Sequence, residues 1–76
     1  MNEEEKIWKL RILKTRMLKL RKLEVELKDH NETLFRKVRK TLFAIEREML
    51  RLDPEQLLIP QIQITEAELS NYQEPL

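Results

Sequence analysis

The sequence predicts an all-α protein: a long amphipathic helix of coiled-coil type, or an antiparallel helical hairpin, that oligomerises and ends in an extended or short-helical tail. Three observations predict it. From Lys6 to Leu52 the chain runs 47 residues without glycine or proline, the two residues that most disfavour a helix interior. Within that stretch apolar residues recur at alternating steps of three and four, the spacing of a heptad seam. Glycine is absent from all 76 residues, so tight turns between strands lack the residue they most often need.

The first helix is expected to begin near residue 3. Asn2 can cap it, and the carboxylates of Glu3, Glu4 and Glu5 sit at the positive end of the helix dipole. Leu10, Leu13, Met17, Leu20, Leu27, Leu34 and Val38 then form a first seam, with Glu24 and Asn31 at two positions where apolar residues are expected. Phe35, Val38, Leu42, Ile45, Met49 and Leu52 form a second seam without gaps. The phase shifts between them near Asn31, by the equivalent of a four-residue insertion that locally unwinds a coiled coil.

Two structures fit the polar junction Lys28-Asp29-His30-Asn31-Glu32-Thr33. One is a continuous helix of about 50 residues, roughly 75 Å long. The other is a hairpin in which Asp29 caps a second helix and Glu32 completes a capping box. The matched half-lengths favour the hairpin. The missing glycine favours the continuous helix, because a left-handed C-terminal cap is costly for other residues, and sets it slightly ahead.

Asp53-Pro54-Glu55-Gln56 ends the long element and also resembles a new helix start, with Asp as cap and Pro at the first helical position. Pro60 limits such a helix to about one turn. Ile59 to Thr65 alternates apolar and polar residues, the pattern of an edge strand or extended peptide. Thr65-Glu66-Ala67-Glu68 can cap one last short helical turn. The helical domain is therefore 3–52, with a break allowed at 29–31, and 53–76 is an acidic, proline-containing tail that docks on a partner or straps the helices.

A chain this short buries too little surface to be comfortably stable alone, and the usual remedies are disulfides, a metal or oligomerisation. Cysteine is absent and His30 is the sole histidine, which removes disulfides, cysteine-based zinc sites and His-cluster metal sites. Self-association or a partner protein remains. No stretch reaches the ~18 apolar residues of a membrane span, and the acidic N-terminus lacks the basic region of a signal peptide. An intracellular, cytoplasmic location is the expectation, with membrane binding disfavoured.

The net charge of +1 conceals a division along the chain. The segment from Lys6 to Leu52 holds all 15 Lys and Arg against six Asp and Glu, whereas Met1 to Glu5 carries three carboxylates and Asp53 to Leu76 carries five. Such asymmetry marks a segment facing a polyanion or acidic partner, or tails and body that neutralise each other within or between chains. If Leu10 occupies heptad position a, the flanking positions include Lys9, Lys14, Arg16, Arg21 and Lys28. Like charges would then meet across a parallel, in-register zipper, which argues for an antiparallel arrangement, a bundle or an acidic partner helix.

No catalytic motif is present: there is no nucleophile with a base at useful spacing, no glycine-rich phosphate loop and no metalloprotease pattern. His30 reads as an exposed turn residue, and Glu24, Glu26, Glu46 and Glu48 read as ion-pair partners of Lys28, Arg21 or Arg51. Trp8, Ile12 and Met17 resemble in spacing the anchors of basic amphipathic target helices, but cations surround much of that helix. Apolar residues outside the seam, among them Ile7, Leu18, Val25, Trp8, Ile12 and Leu23, indicate a helix covered by more than one neighbour.

The sequence therefore reads as a non-enzymatic assembly or adaptor module without cofactors. Self-association is assigned to Leu10, Leu13, Met17, Leu20, Leu27, Leu34, Phe35, Val38, Leu42, Ile45, Met49 and Leu52. Contact with a protein partner or polyanion is assigned to Lys14, Arg16, Lys19, Arg21, Lys22, Arg36, Lys37, Arg39 and Lys40, and tail docking to Leu57, Leu58, Ile59, Ile62 and Ile64. The alternative is a small nucleic-acid-binding regulator whose cations contact phosphates, although no base-reading motif accompanies them.

Overall fold

The computed structural model describes residues 1–75. Two long helices, α1 (Glu3–Leu27) and α2 (Glu32–Leu52), pack against each other as an antiparallel hairpin, followed by a 3-10 turn (Ile59–Gln61) and a short helix α3 (Glu66–Asn71). The longest dimension is 41 Å, close to the ~37 Å of a 25-residue helix and far below the length of a continuous rod. The continuous helix set slightly ahead by the sequence is therefore corrected to the hairpin.

The reason lies in how α1 ends. Lys28 stays right-handed (φ −48°, ψ −45°), and the N–H groups of His30 and Asn31 both donate to the Leu27 carbonyl at 3.1 and 3.0 Å. The reversal thus needs no left-handed residue, and the missing glycine imposes no cost there. Asn31, not Asp29, caps α2: its backbone is extended and its side-chain oxygen accepts from the Leu34 N–H at 3.1 Å. At the other end Asn2 caps α1 as expected, accepting from the Glu5 N–H at 2.8 Å.

The two seams meet each other inside one chain. Leu10, Met17 and Leu20 of α1 and Val38, Leu42, Ile45, Met49 and Leu52 of α2 are buried together with Ile62 of the tail, and Leu13 and Leu27 pack on them half-buried. Leu34 and Phe35 are half-buried near the loop, where the Phe35 ring lies 5.8 Å from the Arg39 guanidinium carbon. Each fully buried leucine contributes on the order of 1.5–3 kcal/mol. The twelve residues assigned to self-association are thus largely taken up within the chain, and the shift of phase at Asn31 marks a reversal and not a stutter.

After α2 the chain crosses to the far side of α1. Asp53 does not start a new helix. It ends α2, and its buried carboxylate accepts N–H bonds from Leu57 (3.0 Å), Leu58 (2.9 Å) and Ile59 (2.8 Å). Gln56 completes the turn at φ 55°, the one positive-φ residue among those described. The alternation of Ile59 to Thr65 is realised as a 3-10 turn and then extended backbone, with no strand among the described residues for it to join. Thr65 and Glu68 form the expected capping box of α3.

This strap makes α1 the middle of three layers and covers part of its apolar surface outside the seam, while Ile7, Trp8, Ile12 and Val25 stay exposed. Leu18 and Leu23 pack on the core half-buried, and Thr15, roughly opposite the α2-facing seam, is buried as well. Its hydroxyl donates to the Arg11 carbonyl at 2.9 Å, so nothing polar is stranded beneath the strap.

Candidate functional site

The strap is held by the cations of α1. Arg11 donates from Nε and Nη2 to the two Glu68 carboxylate oxygens at 3.1 and 2.8 Å, and from Nη2 to the Gln63 carbonyl at 3.0 Å. Lys14 Nζ donates to the carbonyls of Ile59 and Ile62 at 2.7 and 2.8 Å, and Lys19 Nζ to the Leu69 carbonyl at 2.7 Å. Arg16 grips Glu74 with both Nε and Nη2, and the Tyr72 hydroxyl donates to the same carboxylate at 2.6 Å. The bonds from α1 to the strap were invisible in local sequence because they join residues 45 to 58 positions apart.

The electrostatics follow from this geometry. The Arg16 hydrogen bonds hold the Glu74 carboxyl below its usual range against the opposing effect of burial, with Tyr72 helping, and Arg16 is raised in turn. Hydrogen bonding from Arg11 lowers Glu68 in the same way. Burial pushes the Tyr72 hydroxyl up, and its bond to Glu74 pushes it further. Burial also acts upward on Asp53, but the N–H donors of Ile59, Leu57 and Leu58, with the charge of Lys6, outweigh it and leave the group lowered.

Of the cations assigned to partner contact, Lys14, Arg16 and Lys19 are therefore engaged within the chain, and Arg21 bridges to Glu46 on α2 at 3.1 Å. The tail residues divide likewise: Ile62 is buried, Leu58, Ile59 and Ile64 pack on the core, and Leu57 remains exposed. Met17 is buried while Trp8 and Ile12 are exposed, so the three do not share a surface as their spacing suggested.

What remains open is the outer face of α2. Arg36, Lys40, Phe43 and Arg47 follow one another at steps of four, three and four, opposite the buried stripe of Val38, Leu42, Ile45, Met49 and Leu52. Lys37 and Arg39 flank the stripe, also exposed, and Leu50 extends its apolar part. Phe43 is 66% exposed and Leu50 45%, values that leave most of the ring and nearly half of the leucine in water. Arg36 pairs with Glu32 at 2.7 Å and Arg39 with Glu24 at 3.7 Å, whereas Lys22, Lys37, Lys40 and Arg47 have no ion-pair partner among the described residues. Phe43 and Arg47 belong to this face, yet neither was singled out from the sequence. The signal was available, since both fall outside the heptad seam on the opposite side of the same helix.

A second exposed apolar group lies on α1, where Trp8 and Ile12 are one turn apart and Glu4 precedes Trp8 by another turn. Between α1 and the end of the strap lies an open cleft of about 390 Å³, lined by Leu20, Leu23, Lys22 and Tyr72 among others. Among the described residues no three His, Cys, Asp or Glu side chains converge as metal ligands, and no helix is long and apolar enough to cross a membrane. Searches of protein-family models, curated proteins and solved structures find no match to this chain.

Proposed function

We propose that the chain is a non-enzymatic assembly and adaptor module whose folded hairpin presents the outer face of α2 to an acidic protein element. The observation that carries the reading is the contrast between its two helices. Arg11, Lys14, Arg16, Lys19 and Arg21 of α1 are engaged within the chain, while Lys37, Lys40 and Arg47 of α2 stand without an ion-pair partner among the described residues, beside exposed Phe43 and Leu50. A cationic stripe with an aromatic at its centre gives charge for orientation and apolar area for affinity.

The chain's treatment of its own acidic tail supports the choice of partner. Arginines at α1 take carboxylates two-handed and lysines take backbone carbonyls, so a helix of this composition can dock a short acidic peptide. In this reading the tail is an internal brace, and partner contact passes to α2.

The test is a titration with a synthetic acidic amphipathic helical peptide, followed by fluorescence anisotropy. Saturable binding by the intact chain is expected, weakening as salt rises, with at least a tenfold loss in the double variant Lys40→Glu/Arg47→Glu. No binding by the intact chain would sink the proposal. The exposed Arg36, Lys37, Arg39, Lys40 and Arg47 also sustain the nucleic-acid reading, and a short DNA duplex in the same assay at ~50 mM salt separates the two.

A further inference from the structure

The acidic, aromatic element that suits the α2 face exists on this chain. Glu4, Trp8 and Ile12 lie on one ridge of α1, at successive steps of four. Neither Glu3 nor Glu4 has an ion-pair partner among the described residues, and Trp8 is 66% exposed. This ridge and the Lys40–Phe43–Arg47 stripe thus carry unmatched charges of opposite sign, each around a bare aromatic ring. One chain cannot bring them together. By the 100° step of a helix the Trp8 ridge points about 140° away from the α2-facing seam, and the Phe43 stripe points away from α1.

We infer that a second copy of the chain occupies the α2 face, docking its Glu4–Trp8–Ile12 ridge against Lys40, Phe43 and Arg47. The inference rests on the proposed docking at α2 and names its occupant. With Trp8 beside Phe43, Glu4 falls near Arg47 if the helices run antiparallel and near Lys40 if they run parallel. In either direction a carboxylate lies within about one helical turn of an unmatched cation, and ring stacks beside ring. The two patches are different surfaces on opposite sides of the molecule, so the contact is heterologous: each copy keeps one free donor face and one free acceptor face, and growth continues until a ring closes or chains lengthen.

Such an interface can be divided between two variants. Lys40→Glu/Arg47→Glu removes the acceptor face, and Glu4→Lys/Trp8→Ala removes the donor face. Ile12→Lys provides a second donor-face variant that leaves the N-terminal turn of α1 intact. All substituted side chains lie on the exposed surface, Trp8 at 66% and Ile12 at 44%, so circular dichroism should show unchanged helicity.

By sedimentation velocity the wild type is expected to grow in size with concentration and to shrink as salt is raised, while each variant alone stays monomeric. Mixed in equal amounts, a donor-face and an acceptor-face variant should form a 1:1 dimer and nothing larger, because each retains one working half. A wild type that is monomeric at millimolar concentration overturns the inference, as does a mixture that associates no better than its components. If the wild type is monomeric yet binds the acidic peptide, docking at α2 stands and its occupant is a different protein. If it does neither, both proposals fall.

Discussion

Glu74 closes onto Arg16 across 58 residues of chain, with both carboxylate oxygens engaged at 2.7 and 3.0 Å. The glutamate side chain is 5% exposed and the arginine 30%, so the pair is sheltered on one side and open on the other. Glu74→Ala should lower stability by about 1–2 kcal/mol in urea unfolding, below the cost of breaking a fully buried pair because Arg16 can recover water. Glu32→Ala, which removes an exposed pair with Arg36, should change it by less than about 0.5 kcal/mol.

Asp53 is the pin of the chain reversal after α2, and its effect should be visible in pH. Its carboxyl, like those of Glu68 and Glu74, is lowered in the folded state. A lowered folded value means stabilisation fully present above the ordinary carboxyl range near pH 4 and lost as pH falls through the folded values. Thermal melts followed by circular dichroism should therefore hold steady near neutrality and fall on the acid side. Asp53→Asn should lower the midpoint at neutral pH and flatten part of that acid fall.

Gln56 adopts φ 55° in the turn that Asp53 anchors, where a side chain is disfavoured. Gln56→Gly should stabilise by up to about 1 kcal/mol, reduced by the extra freedom glycine gives the unfolded chain. Gln56→Val should destabilise, since a β-branched residue tolerates this backbone least. Equal unfolding midpoints for the two variants would show that the turn relaxes elsewhere.

Leu20 is fully buried between α2 and the strap, whereas Val25, five residues on, is 76% exposed. Leu20→Ala should cost about 2–5 kcal/mol, a large part of what a domain of this size possesses. Val25→Ala should stay within about 0.5 kcal/mol. Urea titrations of both, read by far-ultraviolet circular dichroism, check the assignment of the core.

The helices were legible in the sequence because their signals are local. The Asn2 cap, the Thr65–Glu68 box, the unbroken helical stretch and the buried stripe of Val38, Leu42, Ile45, Met49 and Leu52 each lie within a few turns of one another. The hairpin was undervalued because its turn closes with Lys28 in the right-handed region, an outcome that a rule about glycine caps does not anticipate. Asn31, read as a polar gap in a seam, was the cap of the next helix.

The surface was legible only in part. Charge asymmetry allowed two accounts of the basic segment; neutralisation by the tail holds for part of α1, where Arg11 and Arg16 pair with Glu68 and Glu74, and a partner-facing role is what we propose for α2. Nothing in the spacing of Arg11, Lys14, Arg16 and Lys19 distinguishes them from Arg36, Lys40 and Arg47. The difference is made by where a strap with Glu68 and Glu74 comes to rest, and that is a tertiary fact.

The strap also sets an order of events. The hairpin joins residues across a short loop, but every bond from α1 to the tail spans 45 residues or more, so loop-closure entropy places these contacts late in folding. Changes at Ile62, Glu68 or Glu74 should then leave the refolding rate almost unaltered and appear as faster unfolding. The strap acts as a brake on the loss of the native state, and the lifetime of the folded hairpin is set at its far end.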